Sequence, residues 1–259
     1  GWSQSHYYQF KDSRYFNMRL NDNREMNFID DFKDVIYRNL VNVNNLNRTQ
    51  YEINNEYFET DRTGFNRYGD LMIAVFDSVN IVPWINPPGG RYGGFNEHPS
   101  VNLNAFWFYT DNETEREKVI NFLRDSIPEN NYVLFMTLQR DYNSSYEPEL
   151  WAADTLNLQT TIFEQLKNQG ATEIDSMLTK GAVPYVFLYQ KDVGLLVEEI
   201  ADTITGTVAG TFALSGSWDN GYVESPKVGP AQDWNSLHWR ASSENNAQED
   251  HYSMDIIGI

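Results

Sequence analysis

Short and almost continuously apolar runs in the middle of the chain most constrain its fold. Residues 71–76 and 132–138 consist almost entirely of apolar side chains, which is typical of strands covered on both faces. Amphipathic stretches at about 112–126 and 154–168 follow such runs, with apolar residues recurring every three or four positions. Because strands and helices alternate, the sequence predicts an α/β module.

The ends of these elements carry local signals. Thr110 with Glu113 matches a capping box for the first helix, and Gly170 is placed to end the second helix. A proline at the start of a strand is permitted, so Pro184 does not argue against a strand there. Further strands are predicted at 105–109 and 183–189, with an edge strand at 195–201.

The two flanks of the chain differ from its middle. Residues 1–70 and 205–259 alternate in short β-like pieces, and neither shows a helical period. Neither flank is long enough to form a stable β-sandwich by itself, so the two are expected to combine into one β-sandwich. The expected fold is α/β plus all-β, with an α/β domain of residues 71–204 inserted between the sandwich halves. Three tryptophans are expected in the sandwich core: Trp218, Trp234 and Trp239.

The charge of the chain limits the classes of partner that it can bind. Nineteen basic and thirty-seven acidic residues give a formal charge of −18, which repels both nucleic-acid phosphates and anionic lipids. No apolar run approaches the roughly 20 residues of a membrane span. We therefore expect no nucleic acid as partner and no membrane span. The absence of cysteine from the sequence excludes disulfides and thiolate nucleophiles.

The order of the central elements resembles the interleukin-like EMT inducer domain over roughly residues 71–200. The likeness includes a strand that ends in Phe108-Tyr109-Thr110, a helix that ends in Ile127-Pro128, and a strand that leads to Asp141. Gly181-Ala182-Val183-Pro184 replaces the Arg or Ser-Trp pair usual before the last core strand of that family. The resemblance therefore does not supply a ligand contact at that position.

The ends of the chain resemble segments of large surface proteins from Bacteroidetes. Residues 1–10, 225–231 and 234–239 are similar to parts of PorU-like, gingipain-peptidase-related proteins associated with type IX secretion. This resemblance implies an exported, multidomain parent that is secreted or held at the bacterial cell surface. Its peptidase domain would lie outside this chain. The expected partners are either a glycan or a cell-surface protein, together with the other domains of the parent.

Carbohydrate is the first ligand class that the resemblance implies, because related interleukin-like domains include the sugar-recognising stem of an O-mannose glycosyltransferase. Sugar binding needs an exposed aromatic ring and a carboxylate that accepts hydroxyl groups. Asp141 follows a buried strand, at the end where open α/β sheets bind ligands, although capping a turn is an alternative role. The candidate ligand-binding residues flank predicted strand ends, and each also suits a core or rim position: Trp107, Asp141, Trp151 and Tyr185.

Five Asp-Ser/Thr-apolar triplets match the O-glycosylation sites of exported Bacteroidetes proteins. Composition alone would give about one such triplet. Asp and Ser are also ordinary helix caps, and capping explains about half of the triplets in the alternative interpretation. The candidate acceptors are Ser78, Ser126, Thr155, Ser176 and Thr203.

No catalytic constellation stands out in the sequence. The four histidines are scattered without a metal-binding spacing, and a Gly-x-Ser-x-Gly nucleophile elbow is missing. We therefore expect no enzyme, no metal site and no cofactor. The leading interpretation is a non-catalytic extracellular accessory or binding module for a glycan or a protein partner. Two alternatives stay open: a structural spacer that positions the peptidase domain, and a polysaccharide hydrolase with an unlocated carboxylate pair.

Overall fold

The computed structural model describes residues 13–22, 26–39, 49–54, 56–60, 69–87, 92, 103–138, 146–225, 253 and 255. They belong to two compact units, one of residues 30–219 and one of residues 1–29 with 220–259. Both strands and helices occur, and strands predominate, which confirms the broad prediction of mixed α/β and β structure. No helix in these ranges is long and apolar enough to cross a membrane.

Strands occur throughout the described residues. They are β1 (Arg14–Phe16), β2 (Met18–Leu20), β3 (Met26–Phe28), β4 (Asp30–Asn39), β5 (Gln50–Ile53), β6 (Tyr57–Thr60), β7 (Leu71–Phe76), β8 (Phe106–Phe108), β9 (Tyr132–Thr137), β10 (Tyr185–Gln190), β11 (Gly194–Ile200), β12 (Val208–Ser217) and β13 (Tyr222–Glu224). The α-helices are α1 (Glu113–Asn121), α2 (Pro148–Ala153), α3 (Thr155–Leu158), α4 (Ile162–Asn168) and α5 (Met177–Lys180).

The central sheet has five strands in the order β11-β10-β9-β7-β8. Every residue of β7 and β9 is buried, as their apolar sequences predict. All four strand pairs are antiparallel. Asp141 was expected at the ligand-binding end of an open α/β sheet, whose strands are mostly parallel. The central sheet is antiparallel, so the rule for parallel sheets does not apply to it. Hydrophobic periodicity carries no information on strand direction.

The N-cap of the first helix lies two residues after Thr110, the residue predicted to cap it. Asn112 is the N-cap of α1, and its side chain accepts a hydrogen bond from the amide of Glu115 at 3.0 Å. The Thr110 hydroxyl instead donates to the buried Asp70 carboxylate at 2.8 Å. The predicted capping box of Thr110 with Glu113 is therefore wrong, because the threonine is already engaged at the end of the strand. The helix continues beyond α1 as a π-helical segment, Phe122–Ser126.

The second predicted helix, 154–168, is broken into α3 and α4. Gln159 ends α3 in a left-handed backbone conformation, with φ at 60°. Thr161 then restarts the helix with a complete capping box, in which Thr161 and Glu164 each accept from the other's backbone amide. This start signal inside the apolar periodicity explains the break. Gly170 follows α4 with φ at 101°, in the position predicted to end it.

The two flanks of the chain share a second sheet, of four strands in the order β12-β4-β5-β6. β4 and β12 pair antiparallel from Asn39 opposite Val208 to Asp30 opposite Ser217. Along β4 the odd positions Val35, Tyr37 and Asn39 are buried, whereas the even positions are more exposed. This alternation is the pattern of a sheet with one covered face.

The covered face of the flank sheet lies against the central sheet. The buried Asn39 side chain donates to the Tyr185 carbonyl at 2.6 Å and accepts from the Thr49 hydroxyl at 2.9 Å. The Tyr51 ring meets the edge of the Phe76 ring at 5.5 Å between centroids. Because these contacts join the flank sheet to the central sheet, both belong to one unit of residues 30–219.

The observed units differ from the predicted seams at 70/71 and 204/205. The sequence placed both halves of the sandwich in the flanks, whereas one of the two facing sheets is the central sheet itself. The remaining described flank strands form two small pairs, β1 with β13 and β2 with β3. Trp218 is half-buried, and Trp234 and Trp239 lie outside the described residues.

Candidate functional site

The structure buries three of the four predicted ligand-binding residues. Trp107 is 3% exposed, and Trp151 and Tyr185 are 0% exposed. Trp151 stacks on Tyr146 with 4.9 Å between ring centroids. These rings have no free face for a sugar, so their predicted stacking role is corrected to a core role. Asp141 lies outside the described residues.

The hydroxyl group of Tyr185 is engaged inside the protein, as its ring is. Its hydroxyl donates to Glu198 Oε1 at 2.8 Å, and burial together with the Glu198 carboxylate raises the pKa of the phenol above its ordinary value. Glu198 also accepts the backbone amides of Thr172 and Glu173 at 2.7 and 2.9 Å. The phenol and the carboxylate therefore hold β10, β11 and the segment after α4 together.

An open depression of about 550 Å³ lies at one end of the 30–219 unit, where both sheets contribute side chains. We call it the Phe32 depression. Phe32 is 64% exposed, the highest value among the large aromatic side chains described. The lining residues are Asp30, Phe32, Ser78, Val79, Asn130, Tyr132, Gln190, Ser215, Gly216 and Ser217.

Hydrogen bonds between loop and strand residues hold one wall of the Phe32 depression in place. The backbone amide of Ser78 donates to the Asn131 side chain at 3.1 Å, and Gln190 Nε2 donates to the Asn130 carbonyl at 3.0 Å. The Tyr132 hydroxyl donates to the Ser215 carbonyl of the flank sheet. The wall is therefore preorganised, and a ligand need not order it on binding.

β12 lies very close to the turn that carries Ser78 and Val79. A Cβ atom on Gly216 would lie 2.1 Å from the carbonyl oxygen of Val79. Glycine at this position lets β12 approach the turn after β7, which is the turn that carries Ser78. The close approach brings the Ser215 and Ser217 hydroxyls to the same depression.

The chemistry of this lining suits a ligand with one apolar face and several hydroxyl groups. The exposed Phe32 ring offers a flat apolar surface. The Asp30 carboxylate accepts hydrogen bonds, whereas the Asn130 and Gln190 amides both donate and accept. The sequence signal for Phe32 was the β4 alternation, in which its even position lies opposite to the buried odd ones. The sequence alone does not single out Phe32, because residues 1–70 show only short β-like pieces whose strand limits are not marked.

The five glycosylation candidates occupy different environments. The side chains of Thr155 at the start of α3 and Thr203 before β12 are exposed. Ser126 and Ser176 are half-buried, and their hydroxyls donate to the carbonyls of Asn121 and Glu173 at 3.5 and 2.7 Å. Ser78 is half-buried in the Phe32 depression.

The aspartates of these triplets also have structural partners. Asp77 accepts the amides of Val79 and Asn80 at 2.9 and 3.1 Å, which is the turn-capping alternative. Asp154 forms a buried ion pair with Arg116. Capping and ion pairing are therefore real roles of residues in these triplets.

A second open depression, of about 520 Å³, lies at the connection between β11 and β12. We call it the Asp202 depression. Its lining residues are Glu199, Ile200, Ala201, Asp202, Thr203, Gly206, Thr207, Val208 and Ala209. Glu199 accepts a hydrogen bond from the Tyr37 hydroxyl at 3.0 Å, and Asp202 pairs with Lys180 at 3.1 Å.

Among the residues that the structure describes, no group of three or more His, Asp or Glu side chains is arranged to hold a metal. All four histidines of the chain lie outside these residues. No model of a known protein family matches the chain, and no curated protein matches it. The function is therefore inferred from the Phe32 depression, from the exposure of its residues and from the charge of the chain.

Proposed function

We propose that the chain is a non-catalytic binding module that recognises a neutral glycan at the Phe32 depression. The observation that carries the proposal is an aromatic ring exposed to 64% beside a carboxylate, two amides and three serine hydroxyls. A pyranose has one face of C–H groups for the ring, and equatorial hydroxyls for the polar side chains. The lining therefore complements both parts of a sugar.

Charge favours a neutral sugar over an acidic one. The chain carries a formal charge of −18, and the carboxylate that lines the depression is Asp30. Uronic acids and sulfated sugars would be repelled by both. A lining with one carboxylate also supports binding rather than hydrolysis, because glycoside hydrolases use a pair of carboxyl groups.

The same proposal includes the cellular location of this activity, which is taken from the sequence resemblances. The chain is part of an exported surface protein of a Bacteroidetes bacterium, related to PorU-like proteins of type IX secretion. Its central part corresponds to an interleukin-like EMT inducer domain that has become one layer of the 30–219 unit. The module presents a glycan, or holds the parent protein to one, outside the cell.

Within that setting, Thr155 and Thr203 are the proposed glycan acceptors. Both side chains are exposed, and Leu156, the apolar residue of the first triplet, is 91% exposed. A modifying enzyme can therefore reach the side chains of Thr155 and Leu156 without unfolding the chain, whereas Asp154 of the same triplet is buried in its ion pair with Arg116. Mass spectrometry of the chain isolated from its native host should find hexose-containing peptides at these two threonines. Unmodified Thr155 and Thr203 peptides from that host would remove this part of the proposal.

Replacing Phe32 with alanine is expected to weaken binding of a neutral oligosaccharide at least about tenfold, which corresponds to about 1.4 kcal/mol. The loss follows because alanine removes the apolar surface under the sugar and leaves the polar side chains unchanged. An array of neutral oligosaccharides first identifies the best-binding sugar. Calorimetric titration of that sugar then compares the two proteins.

Ile36→Ala is the matched control. Ile36 lies on the same strand and face as Phe32 and is 43% exposed, but it does not line the depression. Its replacement is expected to leave the affinity unchanged. If no sugar on the array binds, or if Phe32→Ala and Ile36→Ala bind equally well, glycan recognition at the Phe32 depression is wrong. Release of reducing sugar by the purified chain would favour the hydrolase alternative.

A further inference from the structure

β12 is a long edge strand without the usual protection. It pairs with β4 on one side, and no strand in the described part of the chain pairs with its other side. Its sequence, VAGTFALSGS, contains neither proline nor a charged residue, and its register with β4 is unbroken. Natural sheets normally block such an edge with Lys, Pro, a bulge or a short strand, because an open edge pairs with other chains.

One edge strand of the central sheet, β11, shows the contrast. β11 carries Glu198 and Glu199, two charges that disfavour pairing with a further strand. Its ladder with β10 also has a register shift between Leu188 and Tyr189. The same 30–219 unit therefore protects one of these edges and leaves the other open.

We propose that β12 binds an extended segment of another protein by strand addition. The available edge runs from Val208 to Leu214, because the carbonyl of the next residue, Ser215, already accepts the Tyr132 hydroxyl. Backbone hydrogen bonds along this edge would provide affinity, and alternate side chains of the added strand would provide selectivity. The outward residues Ala209, Thr211 and Ala213 are small and exposed, so they leave room for larger side chains beside them.

Charge selects the occupant of this edge. The Asp202 depression opens at the first residues of β12 and presents Glu199 and Asp202. The Asp202 side chain is 95% exposed, and its ion pair with Lys180 is therefore weak. A strand with a Lys or Arg at the end above this depression is attracted, whereas a second copy of a chain with formal charge −18 is repelled. The proposed partner is thus a basic, extended segment of a different protein.

A labelled probe peptide tests the proposal on the whole 259-residue chain. The probe has alternating valine and threonine with a lysine at each end, and fluorescence anisotropy reports its binding. We expect saturable binding that weakens as salt is raised. A peptide with glutamates in place of the lysines should bind at least about tenfold more weakly. N-methylation of alternate backbone amides on the pairing edge should abolish binding, because those amides would donate to β12.

Ala213→Lys is the corresponding change in the protein, since lysine on an exposed edge position blocks strand addition. It should weaken binding of the lysine-ended probe at least about tenfold. Ala153→Lys is the matched control, because Ala153 is an exposed alanine at the end of α2 and the charge change is identical. Circular dichroism before and after each substitution shows that both variants are folded.

Three outcomes would overturn the proposal. Undiminished binding of the N-methylated peptide would show that the edge is not used. Equal binding of the lysine-ended and glutamate-ended peptides would show that the edge does not select a basic segment. A dimer that Ala213→Lys dissociates in sedimentation experiments would identify the occupant as a second copy of this chain. Glycan titration of Ala213→Lys keeps this site separate from the Phe32 depression, since Ala213 does not line that depression.

Discussion

Replacing Asp154 with alanine should lower the free energy of unfolding by about 3–5 kcal/mol. Arg116 Nε lies 2.6 Å from one Asp154 oxygen, and Arg116 Nη2 lies 2.7 Å from the other. Arg116 is 6% exposed and Asp154 is 3% exposed. The hydrogen bond to Asp154 is the main cause that raises the pKa of Arg116 above its ordinary value. Without the carboxylate, a buried guanidinium loses its counter-charge and cannot shed its own charge.

Loss of this ion pair should affect the packing of several helices, because the pair connects them. Arg116 lies on α1, and Asp154 lies between α2 and α3, so the pair joins helical segments distant in sequence. Arg116 also donates to the Thr110 carbonyl at 3.0 Å, which links the helices to the end of β8. Breaking the pair should therefore loosen the helical layer as a whole.

Urea denaturation followed by tryptophan fluorescence measures this effect. Asp175→Ala is the matched control, because it removes an exposed ion pair with Lys167 and should cost less than about 1 kcal/mol. Equal destabilisation by Asp154→Ala and Asp175→Ala would contradict the buried arrangement. A urea midpoint that is the same in both variants as in the original protein would contradict the buried arrangement as well.

The second large effect is a steep loss of stability at alkaline pH. Tyr146, Tyr185 and Tyr189 are 2%, 0% and 1% exposed, and burial raises the pKa of each phenol above its ordinary value. Nearby carboxylates add to the shift, Glu198 for Tyr185 and Asp192 for Tyr189. Tyr37 shifts in the same direction, through burial and then Glu199.

The direction of this pH dependence follows from the number of protons that the folded and the unfolded chain bind. In the unfolded chain these phenols lose their protons near pH 10, whereas in the folded chain they keep them. Stability is therefore fully present below about pH 10 and falls as the pH rises further. The four buried phenols, those of Tyr37, Tyr146, Tyr185 and Tyr189, together should lower the free energy of unfolding by about 5 kcal/mol per pH unit above that point.

Urea denaturation at a series of pH values between about 8 and 11.5 measures this slope directly. Tyr185→Phe removes one titrating group and should reduce the slope by about 1.4 kcal/mol per pH unit. Phenolate absorbance should rise together with unfolding for the buried tyrosines. Full ionisation of all tyrosines near pH 10 in a chain that stays folded would contradict their burial.

Sequence reasoning located the core strands because continuous apolar runs report burial directly. The runs at 71–76 and 132–138 became the fully buried β7 and β9. Strand direction could not be obtained in this way, because side-chain periodicity is the same in parallel and antiparallel sheets. The pairing of β4 with β12 joins residues far apart in the chain, and no local pattern indicates such a partner.

The candidate site was harder to predict because residue type does not distinguish a core aromatic from an exposed one. Trp107 and Trp151 suited a sugar by chemistry, but the central sheet and the helices bury them. Phe32 has a smaller ring and a less conspicuous sequence context, yet it is the exposed one. Whether a ring is available for binding is decided by packing between the sheets, which a single strand does not encode.

Chemical-shift mapping tests the central claim most directly. The ¹⁵N-labelled chain is titrated with the best-binding neutral oligosaccharide of the array, and amide shifts are followed by residue. Glycan recognition at the Phe32 depression predicts saturable shifts at Phe32, Ser78 and Asn130, while the amides of Trp107 and Trp151 stay unchanged. A sugar that shifts other amides but not these three, or that causes no shifts at all, would contradict it.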